Sequence, residues 1–312
     1  MDLGVQVEPQ FGFSYADVVA IAREGESSHF RALWVSDHLF LGPDAVATEC
    51  LEAWTLLAAL AVDAKTIRIG PMVTSQSYRN PALLAKIAAG VDEMSGGRLE
   101  FGIGAGWKAL EYKAYGYEFP DAPTRVTQLV ETLEICTRMW NEPRATYHGK
   151  HYRVEDALCA PKPLQRPLPI WIGGTKPRVM RVAAKYAHWF NMSDPSEPIE
   201  PRIAELNKLL PDACKAVGRD VATLKRSLFI QVLAAPTRRE VDDIVSACGS
   251  RAKLSAADWL KSRPGMIVGT PDEVGTRLRG MAAAGIDHAN IMFPYKFEVI
   301  GVRALGEVAR SL

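Results

Sequence analysis

The chain has no excess of charge of either sign. Its 312 residues include 37 lysines and arginines and 36 aspartates and glutamates, which gives a net charge of +1. Proteins that bind nucleic acid through phosphates concentrate lysine and arginine on one face, and no basic stripe of that kind occurs in this sequence. The composition therefore argues against a nucleic-acid partner, while the apolar share of 48% is ordinary for a globular protein.

Cysteines are few and long apolar runs are missing. The five cysteines form no Cys-x-x-Cys pair, and their odd number favours a reducing cytoplasm over a disulfide framework. The longest apolar stretch, residues 53–62, is too short to span a bilayer. The first ten residues have neither the basic start nor the apolar core of a secretory signal. We therefore expect a cytoplasmic protein without a membrane segment.

Motifs for metal and nucleophile chemistry are also missing. No His-x-x-x-His pair with a third ligand occurs among the six histidines, so we expect no metal site. The sequence has neither a Gly-x-Ser-x-Gly elbow nor a phosphate-binding P-loop. The remaining candidates for catalytic and binding groups lie at the ends of the predicted strands.

Strand-like and helix-like segments alternate along nearly the whole chain. This alternation predicts a parallel sheet, and the number of strands fits a closed (β/α)₈ TIM barrel better than an open sheet. No linker interrupts the pattern, so residues 1–312 are expected to form one domain with inserted loops. The insertions are a hairpin that turns at 148–150 and a long loop over 104–120. The predicted strands are residues 3–7, 32–35, 67–73, 99–103, 169–172, 189–192, 228–234 and 289–293.

Catalytic groups of a barrel lie at the carboxyl ends of its strands, and Asp37 and His38 follow the second predicted strand. Histidine transfers protons near neutral pH, and a neighbouring carboxylate can orient a ligand. The alternative is that Asp37 caps the following loop and His38 is only its neighbour. Thr74 follows the third strand, where its hydroxyl could face a ligand or bond to a local turn.

Two glycine-rich strand ends indicate a close approach to a ligand. Gly102, Gly104 and Gly106 do not form a dinucleotide fingerprint, because no helix opens directly after them. Trp107 next to them is open to two interpretations, the wall of a planar ring or a plug at the mouth of the barrel. The sequence Gly173-Gly174-Thr175 precedes a predicted helix, where free N–H groups favour a phosphate. The alternative there is a glycine turn with threonine as the N-cap.

Several motifs together resemble the luciferase-like flavin and deazaflavin oxidoreductases, most closely the branch of probable coenzyme F420-dependent enzymes. The similarity covers nearly the whole chain and is loose beyond about residue 220. Each motif alone is unspecific, and the combination is specific. The motifs are residues 4–18, 33–40, 50–61, 66–107, 111–120, 157–163 and 169–187.

The resemblance implies a cofactor at the carboxyl-terminal mouth of a barrel, and a homodimer. It places a non-proline cis peptide at Pro71–Met72, with Met72 supporting the cofactor ring. It also implies that Asp37 lies near the ring and that His38 transfers a proton. Together with the glycine-rich strand end, it gives a set of residues expected to bind the cofactor. They are Asp37, Pro71, Met72, Thr74, Gly104, Gly106 and Trp107, with Gly173, Gly174 and Thr175 in the phosphate region.

Departures from the family pattern narrow the expected function. The sugar-phosphate dehydrogenases carry glutamate where this chain has Trp107, which argues against a sugar-phosphate substrate. Members that bind flavin mononucleotide (FMN) often have an arginine after the same glycines, whereas Trp107-Lys108 stands here and favours F420. The sequence thus predicts hydride transfer between F420 and a small organic molecule. An FMN-dependent monooxygenase and a non-catalytic cofactor-binding protein are the alternatives.

Overall fold

A computed structural model describes residues 1–195 and 197–312. Its strands are β1 (Asp2–Val7), β2 (Ala32–Val35), β3 (Arg68–Pro71), β4 (Thr74–Ser75), β5 (Phe101–Gly104), β6 (Ala145–His148), β7 (Arg153–Ala157), β8 (Ile170–Gly174), β9 (Trp189–Met192), β10 (Lys225–Ala234), β11 (Ile267–Gly269) and β12 (His288–Met292). Its helices are α1 (Tyr15–Ser27), α2 (Ala53–Asp63), α3 (Pro81–Met94), α4 (Ala109–Tyr115), α5 (Ala122–Asn141), α6 (Pro177–Tyr186), α7 (Ile199–Lys215), α8 (Arg238–Arg251), α9 (Ala256–Lys261), α10 (Pro271–Ala283), α11 (Glu298–Ala304) and α12 (Gly306–Ser311).

The main sheet is a parallel barrel. Its strands follow the order β3-β2-β1-β12-β10-β9-β8-β5-β4, and β11 pairs with β10 beside this path. β3 and β4 are two parts of one barrel strand, and a parallel bridge between Ile69 and Leu99 joins β3 to the segment that leads into β5. The predicted (β/α)₈ barrel is therefore confirmed. Within the described residues, no helix is long and apolar enough to cross a membrane.

Side-chain caps fix where several helices begin. Ser14 and Asp17 form a reciprocal capping box at the start of α1, and Thr270 and Glu273 form another at the start of α10. Asn80 caps α3 by accepting a hydrogen bond from the N–H of Ala82. Each such cap satisfies an N–H group that the helix leaves free and stabilises the helix by about 1 kcal/mol.

Some predicted elements differ from the structure. The segment 104–120, expected as a long loop, contains the short helix α4. It has only two buried residues, Glu111 and Tyr112, which is too few to give a helical repeat in the sequence. The hairpin at 148–150 is confirmed as β6 and β7, and the carboxylate of Glu131 anchors it by accepting three successive backbone N–H groups from residues 150–152.

Aromatic side chains fill the interior of the barrel. Trp34, Trp171 and Trp189, called the tryptophan cluster below, pack together, and the rings of Trp171 and Trp189 stack at 4.2 Å. His288 lies edge-on to all three rings, and its complete burial lowers its pKa to about 3. The cluster therefore packs around a neutral histidine in the interior of the barrel.

A buried carboxylate lies beneath the tryptophan cluster, towards the amino-terminal ends of the strands. Glu100 accepts a hydrogen bond of 2.6 Å from Trp171 Nε1. It also pairs with Arg31 at 2.8 Å and with Arg68. Because this end of the barrel is filled by ion pairs and indole rings, a ligand must reach the interior from the opposite, carboxyl-terminal mouth.

Candidate active site

Asp37, at the start of the loop that follows β2, is held in a buried ion pair. Arg79 donates to both of its carboxylate oxygens, at 2.7 and 3.0 Å. Thr74 Oγ1 adds a bond of 2.6 Å and the Ser75 N–H one of 3.3 Å. Burial opposes the charge of Arg79, but Asp37 and Glu52 nevertheless raise the pKa of this guanidinium. The Asp37 carboxylate is thus already supplied with donors from within the chain.

Thr74 lies behind this ion pair. Its side chain is fully buried, and its hydroxyl also accepts a hydrogen bond of 3.1 Å from Trp54 Nε1. The structure therefore brings Asp37 and Thr74 together, as expected for neighbouring strand ends. Their polar atoms bond to each other and to the protein, which makes them a rigid support for the mouth of the barrel.

His38 faces a second buried carboxylate. Its Nδ1 lies 3.0 Å from Glu111 Oε2 in α4, and the Tyr78 hydroxyl donates to the same oxygen at 2.8 Å. The other oxygen of Glu111 accepts the Leu39 N–H at 2.8 Å and the Lys108 ammonium at 3.2 Å. The side chain of Glu111 is 0% exposed and that of His38 is 18% exposed, so the histidine separates the carboxylate from solvent.

The charge state of this pair follows from its contacts. Burial by itself would raise the pKa of Glu111, but the hydrogen bond and charge of His38, with the other donors, lower it to about 2. Burial and the hydrogen bond to Glu111 raise the pKa of Tyr78 far above its usual value. Glu111 is therefore a carboxylate and Tyr78 a phenol that donates to it throughout the physiological range.

Trp107 stands beside His38 at the surface of the mouth. Its side chain is 73% exposed, and its ring lies perpendicular to the imidazole with 5.7 Å between the centroids. This position excludes the interpretation of Trp107 as a buried plug. An exposed indole next to a partly exposed histidine offers a flat apolar surface to a ligand.

The cis peptide expected at Pro71–Met72 lies one bond further along the chain, at Met72–Val73. The prediction was wrong because the sheet continues through the Met72 N–H, which donates to the Val35 carbonyl at 2.8 Å. Met72 is half-buried and packs on the tryptophan cluster. Its side chain thus covers the filled interior of the barrel at the end of β3.

Val73 explains two glycines at neighbouring strand ends. A Cβ atom on Gly104 would lie 2.7 Å from the Val73 side chain, and one on Gly173 would lie 2.9 Å from it. Both glycines therefore admit Val73 between β5 and β8. The group that the structure places against these two glycines is a protein side chain, and the close approach to a ligand stays a prediction.

Gly106 has a different requirement. Its φ of +78° lies in the left-handed region, and a Cβ there would meet the Tyr112 hydroxyl at 1.9 Å. Tyr112 is buried and bonds to Ser75 and to Ser77. Gly106 thus turns the chain over Tyr112 and brings Trp107 to the surface.

In the expected phosphate region, the helix does not begin directly after Gly173-Gly174-Thr175 as predicted. Gly173 and Gly174 belong to β8, α6 begins at Pro177, and Lys176 rather than Thr175 is the N-cap residue, without a side-chain cap bond. Gly174 packs closely against α6, where a Cβ would lie 2.9 Å from Val179. Thr175 is left half-buried between strand and helix.

Polar side chains also line the interior on the side of β1, β9, β10 and β12. Ser227 bridges Asn191 Oδ1 at 2.8 Å and His288 Nδ1 at 3.0 Å. Asn290 donates to Gln6 at 2.8 Å. Asn191 Nδ2 and Asn290 Oδ1, both fully buried, have no hydrogen-bond partner. Buried polar groups are nearly always satisfied, so these two atoms indicate a position for water or a ligand.

Sequence reasoning missed Glu111, Arg79 and Tyr78. Glu111 and His38 are 73 residues apart, and no local spacing connects them. The only signal was that Glu111 lies in one of the motifs that carry the family resemblance, residues 111–120. Among the described residues, no group of three or more histidine, cysteine, aspartate or glutamate side chains is placed to hold a metal ion.

The fold and the site are those of a (β/α)₈ barrel with its functional groups at the carboxyl ends of the strands. The model of the luciferase-like monooxygenase family matches residues 2–288. The chain therefore belongs to the luciferase-like monooxygenase family.

Relatives with named activities use two cofactors. An F420-dependent glucose-6-phosphate dehydrogenase from Microbacterium testaceum is 32% identical over 205 residues, which are 64% of this chain and 59% of that protein. An FMNH2-dependent dimethylsulfone monooxygenase from Pseudomonas putida is 25% identical over 233 residues, 67% of this chain and 64% of that protein. The chain thus matches less than two thirds of the length of each.

A solved structure extends the similarity of fold to the whole chain. An F420-dependent secondary alcohol dehydrogenase, in complex with an F420-acetone adduct, superposes with a TM-score of 0.80. The match covers 98% of this chain and 97% of that one at 20% sequence identity. At this level of identity the likeness concerns the fold.

Proposed function

We propose that the protein is a cytoplasmic, homodimeric oxidoreductase that uses coenzyme F420 to transfer a hydride to or from a small organic substrate. The observation that carries the proposal is His38, held by a buried carboxylate at the mouth of the barrel beside the exposed ring of Trp107. The family and the F420-dependent relative support it. When bound, the deazaflavin supplies a ring carbon that takes up or releases the hydride.

The residues at the mouth suit a flat ring with polar edges. Met72 offers a half-buried apolar surface on top of the tryptophan cluster. Asn191 pairs in register with Gly173 near the end of β8, and its unpartnered Nδ2 can donate to a ring carbonyl. Asn290 Oδ1 can accept from a ring N–H. The start of α6, where Lys176 gives no side-chain cap bond, would hold the phosphate of the cofactor.

The chain supplies proton transfer and support. His38 is the acid or base for the substrate oxygen, because it is a partly exposed ionisable side chain of the mouth, whereas Asp37 is buried in an ion pair with Arg79. Asp37 supports the site without contacting the ligand, since Arg79, Thr74 and Ser75 already occupy its oxygens. Its role is to fix the backbone that presents His38.

Titration of the purified protein with F420 and, separately, with FMN tests the cofactor. We expect tighter binding of F420, followed as a change in tryptophan fluorescence. Trp107 is the exposed indole beside the site, whereas the tryptophan cluster is buried, so a W107F variant identifies the reporting residue. Light scattering on the same sample measures the oligomeric state.

Tighter binding of FMN, with oxygen consumption that depends on reduced flavin, would instead identify a monooxygenase. Tight F420 binding without hydride transfer across a broad panel of alcohols, aldehydes and ketones would identify a cofactor-binding protein without turnover. Either result would contradict the proposed reaction.

Glucose 6-phosphate is expected not to reduce F420 in the presence of this protein. The resemblance places a glutamate of the sugar-phosphate dehydrogenases at Trp107, and the structure puts an exposed apolar ring there, next to His38. The loss of F420 absorbance on addition of the sugar phosphate measures the reaction. Turnover comparable to that of an uncharged alcohol would show that Trp107 does not select against sugar phosphates.

A further inference from the structure

We propose that Glu111 is a positioning residue that fixes the proton of His38 on Nδ1 and leaves Nε2 as the atom that exchanges a proton with the substrate. The inference rests on the proposed function for its kinetic consequence. Its structural part, the location of one proton on one ring, stands on the contacts of Glu111 alone.

The donors around Glu111 determine the tautomer. A carboxylate only accepts hydrogen bonds. The Tyr78 hydroxyl is a phenol and donates to Glu111 Oε2 at 2.8 Å. His38 Nδ1, 3.0 Å from the same oxygen, must therefore also carry a hydrogen to make a favourable contact. In the neutral imidazole the other nitrogen, Nε2, is then unprotonated and able to accept a proton.

The same carboxylate holds the chain that carries His38. Glu111 Oε1 accepts the N–H groups of Leu39 at 2.8 Å and Phe40 at 3.4 Å. Lys108 binds this oxygen as well, and its ammonium also donates to the Phe40 carbonyl at 2.7 Å. One buried side chain thus sets both the backbone position of His38 and the orientation of its ring.

The arrangement suits the oxidation of an alcohol. In that reaction the carbon–hydrogen bond of the substrate would break, its two electrons would leave as a hydride to bound F420, and the carbon–oxygen double bond would form. The hydroxyl proton passes to Nε2 of His38. The resulting imidazolium is stabilised by the carboxylate of Glu111 on its other side, as a buried carboxylate does for the histidine of a catalytic triad. Carbonyl reduction runs the same steps in reverse.

Glu111→Gln is the variant that separates the two roles. The carbonyl oxygen of glutamine best replaces Oε1, because backbone N–H groups and an ammonium already donate there. The amide nitrogen then replaces Oε2 and donates to His38 Nδ1. We therefore expect the loop to stay in place while the histidine proton moves from Nδ1 to Nε2.

The measurement is ¹H–¹⁵N correlation of histidine side chains in apo protein labelled with ¹⁵N-histidine, with H38Q to identify the signals of His38. The wild type is expected to show Nδ1–H, and E111Q to show Nε2–H. The matched control is Tyr78→Phe, which removes the other donor to the same oxygen and keeps the carboxylate, so its His38 should remain Nδ1–H.

A proton on Nε2 of His38 in the wild type would overturn the proposal, and so would an E111Q protein whose His38 stays Nδ1–H. If E111Q does not fold, the wild-type and Y78F spectra still decide the assignment. In the kinetic arm, hydride transfer in E111Q should fall by about a hundredfold or more and lose the pH dependence of a base, approaching H38Q. A wild type without hydride transfer would refute the proposed function and leave the spectra to decide the role of Glu111.

Discussion

Replacement of Arg79 by methionine is expected to destabilise the protein by about 3–5 kcal/mol, because it leaves a buried carboxylate without its counterion. The side chain of Asp37 is 0% exposed, and Arg79 binds both of its oxygens. Thr74 and Ser75 alone cannot neutralise the charge. Urea unfolding followed by circular dichroism measures the loss.

Arg277→Met is the matched control. Arg277 also forms an ion pair, with Glu200, but the two side chains are 53% and 68% exposed. An exposed pair of this kind contributes about 1 kcal/mol or less. Equal losses in R79M and R277M would mean that Asp37 does not depend on Arg79. A D37N/R79M double variant, in which the charge is removed together with its partner, should recover part of the stability lost in R79M.

Gly102→Ala is expected to be the most damaging substitution of a single glycine in the barrel, with a loss of about 3 kcal/mol or more. A Cβ at this position would lie 1.9 Å from the carbonyl oxygen of Pro71. That oxygen belongs to the backbone of the adjacent strand, which cannot rotate away as a flexible side chain can. The two strands must separate where the mouth is formed, and thermal unfolding reports the effect.

Gly90→Ala provides the comparison within the same βα unit. Gly90 lies inside α3, and a Cβ there would meet no atom within 4 Å. Alanine favours a helix interior over glycine by roughly 0.5–1 kcal/mol, so this variant should unfold at a higher temperature than the wild type. A G102A protein that unfolds at the wild-type temperature would show that β3 and β5 separate at little cost.

The barrel could be predicted because its signals are local. Each strand and the helix after it carry their own periodicity and caps, as the capping box of Thr270 and Glu273 shows. The helix α4 could not be predicted in this way, since its two buried residues, Glu111 and Tyr112, contact segments that are distant along the chain. Local pattern thus identifies long amphipathic elements and misses short ones that tertiary contacts hold.

The residues of the candidate site also differ in whether a local pattern in the sequence marks them. His38 and Asp37 could be found because strand ends are marked in the sequence. Glu111 and Arg79 could not, because their partners lie 73 and 42 residues away along the chain. The resemblance located the cis peptide within one bond, but the choice between neighbouring peptides depends on which N–H group bonds to Val35, and only the folded sheet shows that.

The tryptophan cluster fills the interior of the barrel at the level above its amino-terminal ion pairs. Glu100, Arg31 and Arg68 close the amino-terminal end beneath it. For the proposed reaction, cofactor and substrate then have to enter through the same carboxyl-terminal mouth. The molecule that binds deeper in the barrel has to bind first and leave last. The filled amino-terminal end of the barrel thus implies a fixed order of binding and release for cofactor and substrate. This order follows from the shape of the barrel and does not depend on the two affinities.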